Sequence, residues 1–321
     1  MNRKILVTGG TGFVGRALLE RLSICPDLRA LAWIRRTNAV LPAKAIPVVR
    51  SYSQAFAAGS PAEQIDTIVH CAARVHVMDE AAKDPLAEFR KVNVDLTLEL
   101  ARSALAAGAK RFIFISSVKV NGESTVLGAP FTAHDLPRPA DPYAQSKLEA
   151  EVALRNLAVE TGLEVVIIRP PLVYGPGVKG NFRAMMRVLA AGLPLPLGKV
   201  DNKRSLVALD NLIDLIVICI DHPAAANQTL MVSDGEDLST SELLRRLATA
   251  LGRHAKLLSI PESWLDRGAR LLRREGAHAR LCGTLQVDMR ETCSLLDWTP
   301  PVRVDDGLRH AAQAFLREAH A

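Results

Sequence analysis

Cysteine is scarce and scattered in this chain. Its five residues (Cys25, Cys71, Cys219, Cys282, Cys293) form no CxxC pair and no recognisable multi-ligand Cys/His pattern. An odd, dispersed set predicts reduced thiols in a cytoplasmic protein, neither a disulfide framework nor a metal site. Aromatic side chains make up only 4%, and no Lys/Arg stripe is interleaved with them, which argues against nucleic acid as a partner. Long apolar runs are missing as well. The run after Met1-Asn2-Arg3-Lys4 is too short for a signal peptide or a membrane span, and Leu212 to Ile220 is interrupted by Asp214 and ends at Asp221. The latter reads as a buried helix, and no integral membrane segment is expected. Acidic residues are outnumbered: the net charge is +6 over 321 residues, a surplus that suits an anionic partner such as a diphosphate-bearing small molecule. The densest basic stretch, Arg267 to Arg274 (RGARLLRR), places apolar residues at helical spacing and reads as a solvated helix face.

Strand-like and helix-like segments alternate through the first half. Short β-branched or apolar runs at Lys4 to Thr8, Leu28 to Ile34, Ala45 to Val49, Thr67 to Cys71, Arg111 to Ser116 and Glu164 to Arg169 alternate with helical periodicity at 13–22, 86–107 and 143–161. Strands that are nearly continuous apolar runs, separated by helices, predict an α/β fold: a Rossmann-type, doubly wound parallel sheet. After Pro170 the rhythm changes to turn-rich stretches (RPPLVYGPG, AGLPLPLG), a helix at Thr240 to Leu251 and short strands near 203–207 and 229–233. The reading is a nucleotide-binding domain over 1–170 and a smaller substrate lobe over 171–321, some of whose segments return to the first core, with the cleft between them.

The first predicted strand runs into Gly9-Gly10-Thr11-Gly12-Phe13-Val14-Gly15, which opens a helix. Glycines there permit a tight turn and let a pyrophosphate approach free helix N–H groups, which points to a dinucleotide. The second strand ends Trp33-Ile34-Arg35-Arg36-Thr37 without an acid to bond a ribose 2′-hydroxyl. Two arginines in that place favour NADP(H) over NAD(H).

Tyr143 and Lys147 lie four residues apart on a predicted helix, hence on one face. A phenol titrates near ~10 and is a poor acid–base catalyst at neutral pH; a neighbouring ammonium and a positive nicotinamide favour its phenolate. Ser116 and Ser117 end the fifth strand, where a hydroxyl can bond the substrate oxygen that Tyr143 protonates or deprotonates.

Taken in order, GGTGFVG, DTIVHCAA (66–73), KVNVD around Asn93, SSVKVNG, YAQSK, RPPLVYGPG, NKRSLVALDN and LLDWTP resemble the extended short-chain dehydrogenase/reductases of the nucleotide-sugar epimerase/dehydratase group, along nearly the whole chain. The resemblance implies that Ser117, Tyr143 and Lys147 are catalytic. It also implies that Ala72, Ala73 and the stretch from Pro170 to Val173 line the nicotinamide half, that Asn93 is structural, and that the protein is a homodimer joined through the helices at 86–107 and 143–161. One departure stands out: Ser51 occupies the position where relatives carry an aspartate for the adenine amino group.

Residues after the serine sort the chemistries. Ser117-Val118-Lys119 offers neither the carboxylates that dehydratases carry nor the thiol of 3,5-epimerases. Hydride transfer at C4 remains, and the stretches 116–123 (SSVKVNGE) and 130–151 resemble bacterial enzymes of surface-polysaccharide synthesis that act on UDP-sugars. The expected reaction is reduction of a UDP-4-keto-6-deoxy-N-acetylhexosamine in surface-polysaccharide (O-antigen) precursor synthesis, with Arg35-Arg36 tipping the choice. The alternatives are a UDP-hexose 4-epimerase that retains NAD and, more distantly, a steroid- or flavonoid-type ketone reductase. By the same resemblance Arg74, Lys119, Asn181, Leu197, Arg204, Arg280 and Arg290 contact substrate, Arg204 as a fork on the diphosphate.

Overall fold

The computed structural model describes residues 3–34, 38–49, 56–57, 59–75, 84–272 and 275–320. Seven strands form one parallel sheet: β1 (Arg3–Thr8), β2 (Leu28–Trp33), β3 (Ile46–Val48), β4 (Thr67–His70), β5 (Arg111–Ile115), β6 (Glu164–Arg169) and β9 (Thr229–Met231), in the order β3-β2-β1-β4-β5-β6-β9. Each strand feeds side chains to both faces because successive residues alternate. From β1, Ile5 and Val7 pack under α1 (Phe13–Leu22) and α6 (Leu209–Asp221), beside Leu18, Leu19, Leu212, Leu215 and Ile216. Leu6, with Phe112 and Phe114 of β5, faces the other layer, α3 (Leu96–Ala106) and α4 (Pro142–Thr161), against Leu100, Ala104, Leu154 and Leu157. Strands covered on both sides are mostly apolar; β4 and β5 are buried at every position, and their polar residues Thr67, His70 and Arg111 sit at the strand ends.

The helix expected over 86–107 is three pieces: α2 (Pro85–Arg90), a π-turn over Lys91–Asp95, and α3. The wider turn carries Asn93 into the interior, where it is 1% exposed; π-turns concentrate where a helix must present one side chain out of register.

Beyond Pro170 the chain builds a three-stranded sheet from β7 (Leu172–Tyr174), β8 (Arg204–Ala208) and β10 (Asp237–Leu238). β8 runs parallel to β7 and antiparallel to β10. Around it lie α5 (Gly180–Ala190), α7 (Thr240–Ala250) and α11 (Val304–His320), sharing a core of Phe182, Met186, Leu244, Leu247 and Leu308. The hairpin of α8 (Glu262–Leu271) and α9 (Glu275–Cys282) sits on this lobe, and α10 (Arg290–Leu296) packs beside β9. A small cluster of Val118, Met231, Leu285 and Val287 joins the two sheets. No helix among the described residues is long and apolar enough to cross a membrane.

Candidate active site

The carboxyl ends of β1, β4, β5 and β6 lie side by side, and strand order reverses about β1, between β2 and β4. Such a switch point opens a crevice for a ligand. The glycine turn fills its floor. Gly9 has φ +68°, and a Cβ there would lie 2.8 Å from the Ala72 nitrogen. A Cβ on Gly15 would meet the Gly9 oxygen at 2.4 Å. Gly12 donates to that same oxygen at 2.8 Å and precedes α1 without any side-chain cap. No acid occupies the first turn of α1, so its free N–H groups and the dipole face the crevice uncompensated. Thr11 and Gly12 are exposed there, while Phe13 and Val14 are half-buried. A cradle that one methyl group would fill, lined by unpaired donors, fits a dinucleotide pyrophosphate.

Beneath it a hydrogen-bonded chain ties β1, β4 and α3 together. The Thr97 hydroxyl donates to the Asn93 carbonyl (2.9 Å), so its oxygen accepts from His70 Nε2 (3.0 Å). His70 Nδ1 is thereby left to accept from the Thr8 hydroxyl (2.8 Å), whose oxygen in turn takes the Ala72 N–H (3.2 Å). Every member is satisfied only with His70 neutral and protonated on Nε2. Burial, with Lys147 adding to it, pushes His70 down to about 3. Ala72 and Ala73, half-buried, are held at the crevice by this chain.

Helix α4 starts where Asp141 caps the Ala144 N–H at 2.7 Å, with Pro142 in its first turn. Tyr143, Lys147 and Glu151 then follow at helical spacing. The Tyr143 ring stands edge-on to Phe89 at 6.2 Å, and the Arg74 guanidinium lies 5.7 Å from that same ring. Burial, with Asp141 adding to it, pushes the phenol up to about 12. The expected lowering by Lys147 is not what the free protein shows, because the ammonium is committed elsewhere. Lys147 donates to the Ile115 carbonyl at 2.7 Å and lies 4.2 Å from the centre of the Phe114 ring. Its burial lowers it to about 8, against the opposing pull of Glu151 and Cys71.

Ser116 and Ser117 diverge. The Ser116 hydroxyl donates to Glu151 at 2.5 Å, and Glu151 is bonded twice by Arg169, at 3.0 and 2.6 Å, with all three residues buried. Ser117 is half-buried at the crevice and caps the short turn over Val118–Val120 through the Lys119 N–H (3.2 Å). The Val118 N–H, donating to the buried Pro170 carbonyl at 3.0 Å, fixes the loop after β6 against it. Asn93 accepts from the Arg74 N–H (2.8 Å) and donates to Ser146 (2.9 Å), locking the Arg74 loop onto α4.

The candidate substrate contacts are more dispersed. Lys119 bridges Glu123 (2.8 Å) and Asp141 (2.7 Å); burial lowers it, but these two carboxylates outweigh that and raise it. Arg204, half-buried on β8, donates to the Gly283 carbonyl at 2.9 Å, and Glu123 opposes the lowering that burial imposes on it. Asn181 is exposed at the start of α5, Leu197 is buried in the lobe core, and Val173 is half-buried on β7. Arg280 is exposed on α9, and Arg290 is exposed in a bidentate pair with Asp288. Arg35, Arg36 and Ser51 lie outside the described residues. The motif reading overlooked His70, Glu151 and Arg169 as parts of the site. Glu151 carried a signal, being the next step of the Tyr143–Lys147 spacing; Arg169 carried none, since its partner is distant in sequence.

A switch-point crevice with a glycine cradle and a Tyr/Lys pair defines a Rossmann-type NAD(P)-dependent enzyme. Residues 5–232 match the NAD-dependent epimerase/dehydratase family, and the chain belongs to it, within the extended short-chain dehydrogenase/reductases. It is 45% identical to a UDP-glucose 4-epimerase of Vibrio cholerae, over 99% of this chain and 97% of the relative. It is 27% identical to a GDP-6-deoxy-D-mannose reductase of Pseudomonas aeruginosa, over 96% of each. Its fold matches the UDP-glucuronic acid 4-epimerase of Bacillus cereus in complex with NAD, with a TM-score of 0.78, 19% identity, and coverage of 98% of this chain and 99% of that one.

Proposed function

We propose that the chain is a UDP-hexose 4-epimerase that keeps NAD bound through turnover. The observation that carries this reading is its full-length kinship to the Vibrio cholerae UDP-glucose 4-epimerase. The sequence alone favoured a keto-sugar reductase on the strength of Arg35-Arg36; the kinship outweighs two arginines whose surroundings lie outside the described residues. The family's description and the relative together favour NAD over NADP(H).

The geometry agrees with a reaction that needs one acid–base residue. Tyr143 takes the proton of the C4 hydroxyl and later returns it to the same oxygen, while Ser117 donates a hydrogen bond there. In the free protein Tyr143 is a phenol, so it reaches its phenolate only beside a positive charge. An oxidised nicotinamide, when bound, supplies that charge and both accepts and gives back a hydride. Lys147 adds a buried ammonium held at a fixed place by the Ile115 carbonyl. Asp141 and Glu123 are both tied to Lys119, which disfavours a dehydration that would use either as a free acid or base. Gly9, Thr11, Gly12, Phe13, Val14 and Gly15 would hold the pyrophosphate, and Ala72, Ala73, Pro170 and Val173 the nicotinamide half. Arg204 would take the substrate diphosphate. The family kinship also supports a twofold dimer through α3 and α4, where Val152 and Val159 face outward.

The test is to denature the purified protein, identify the nicotinamide it releases, and assay UDP-glucose/UDP-galactose interconversion without added cofactor. Released NAD and interconversion support the epimerase. The full-length kinship to a reductase supplies the competing outcome: no retained NAD, and oxidation of added NADPH by UDP-4-keto-6-deoxy-N-acetylglucosamine, overturns it.

A further inference from the structure

Folding brings one of the scattered cysteines to a histidine and a glutamate. His278 and Cys282 lie four residues apart on α9, so both point from one side of the helix. α8 packs against α9 and carries Glu262 at its start. A carboxylate oxygen of Glu262, a ring nitrogen of His278 and the Cys282 Sγ all lie within 4.8 Å of one another. Cys282 is buried, His278 half-buried and Glu262 exposed, so the cluster runs from the interior to the surface. His278 Nε2 is buried and has no hydrogen-bond partner among the described residues, and a buried polar atom without a partner calls for a ligand, water or ion. α8 itself buries none of its residues, and Trp264 and Leu271 on it are exposed. Apolar packing of this helix on the lobe core rests on half-buried side chains such as Leu265.

We propose that Glu262, His278 and Cys282 bind a single divalent transition-metal ion, zinc by the character of the donors, that clips α8 to α9. One thiolate, one imidazole and one carboxylate form a set suited to zinc, with water completing a tetrahedron. Bond lengths of about 2.0 to 2.3 Å require each donor to move inward by no more than about an ångström. Binding replaces the Cys282 S–H bond with a sulfur–metal bond and passes the proton to solvent. The site lies outside the reaction centre but adjoins its substrate side. Cys282 is followed by Gly283, whose carbonyl accepts from Arg204 (2.9 Å) and from Asn202 (2.8 Å). The ion would brace the segment on which Arg204 rests.

The experiment uses the full chain without a histidine tag, stripped with a chelator, desalted and titrated with cobalt(II). The expected result is one equivalent bound, with the visible bands of tetrahedral cobalt and a thiolate-to-metal charge-transfer band, both displaced by zinc. Cys282→Ser should lose the charge-transfer band. Glu262→Gln, at an exposed helix start, should weaken binding about tenfold or more and leave cofactor binding unchanged. Zinc should raise the melting temperature of the wild type and not of His278→Ala. Failure to bind one equivalent overturns the proposal, as does a spectrum that both Cys282→Ser and Glu262→Gln leave intact. Neither readout depends on which sugar the enzyme turns over.

Discussion

Below the crevice, Lys147, Glu151 and Arg169 are at most 2% exposed, and each makes hydrogen bonds within the protein. In the substrate lobe, Arg280 and Arg290 lie at the surface, Arg290 with 89% of its side chain exposed. Both regions concentrate charge, under opposite constraints. A buried ion is tolerated only when geometry and hydrogen bonds compensate its desolvation, so the groups under the crevice have one arrangement and hold it before any ligand arrives. A surface pair gains little and is easily exchanged for another partner. The first region can orient a reacting group; the second can exchange its partners at the surface. Four experiments separate the two, from the largest effect to the smallest.

Tyr143→Phe removes the hydroxyl proposed above to carry the proton while keeping the ring against Phe89. Turnover should fall by about 10² to 10⁴, with cofactor binding and melting temperature within error of wild type. Unchanged turnover would move the chemistry away from the preset region altogether.

Arg169→Met leaves Glu151 buried without its bidentate partner, and the expected loss of stability is about 3 to 5 kcal/mol, read from urea denaturation. The double variant Glu151→Leu/Arg169→Met should recover part of that loss, because it removes both members of the buried pair, while Arg155 and Lys147 lose the Glu151 carboxylate. If the double variant is as unstable as the single one, Ser116 and Asn121, which also bond this pair, matter more than the charges do.

The same contrast decides what was legible in the sequence. The parallel sheet, its edge and the glycine turn could be read because each follows from local rules: apolar runs of strand length, and turns only glycine can make. Tyr143 and Lys147 could be read because helical spacing sets their relation. Arg169 and Glu151 meet across 18 residues, His70 and Thr8 across 62; no local pattern announces such pairs. The π-turn that buries Asn93 was also hidden, since one residue of helical slip leaves the periodicity of 86–107 nearly unchanged. In the lobe, the arginines could be found in the sequence but not ranked, because what distinguishes Arg204 from Arg290 is burial.

His70 extends the comparison to pH. Its folded value near 3 lies below the ordinary 6.5, so the unfolded chain binds more protons at acid pH, and stability is lost as pH falls from 6.5 towards 3. The loss attributable to this group is about 1.4 kcal/mol per pH unit. His70→Gln should be less stable at pH 7 yet show a shallower fall between pH 6.5 and 4, read as the difference between the two urea-midpoint profiles. Parallel profiles would mean that the chain through Thr8 and Thr97 tolerates a charged imidazole.

Arg204 and Arg290 make the closest test, being one residue type in one lobe. Arg204 is half-buried and anchored to the Gly283 carbonyl, so its fork is partly desolvated before substrate arrives. A charge-assisted bond from such a group is worth about 1.5 to 3 kcal/mol, and Arg204→Ala should raise KM by about 10- to 100-fold with kcat little changed. Among the described residues Arg290's side chain is held by Asp288 alone, two residues before it, and its loss should alter stability and KM by less than about 0.5 kcal/mol. That outcome would make burial what lets Arg204 act and exposure what makes Arg290 dispensable. A KM effect of Arg290→Ala as large as that of Arg204→Ala would mean the exposed arginine leaves Asp288 to close on bound substrate; Asp288→Asn, which frees it in advance, should then lower KM.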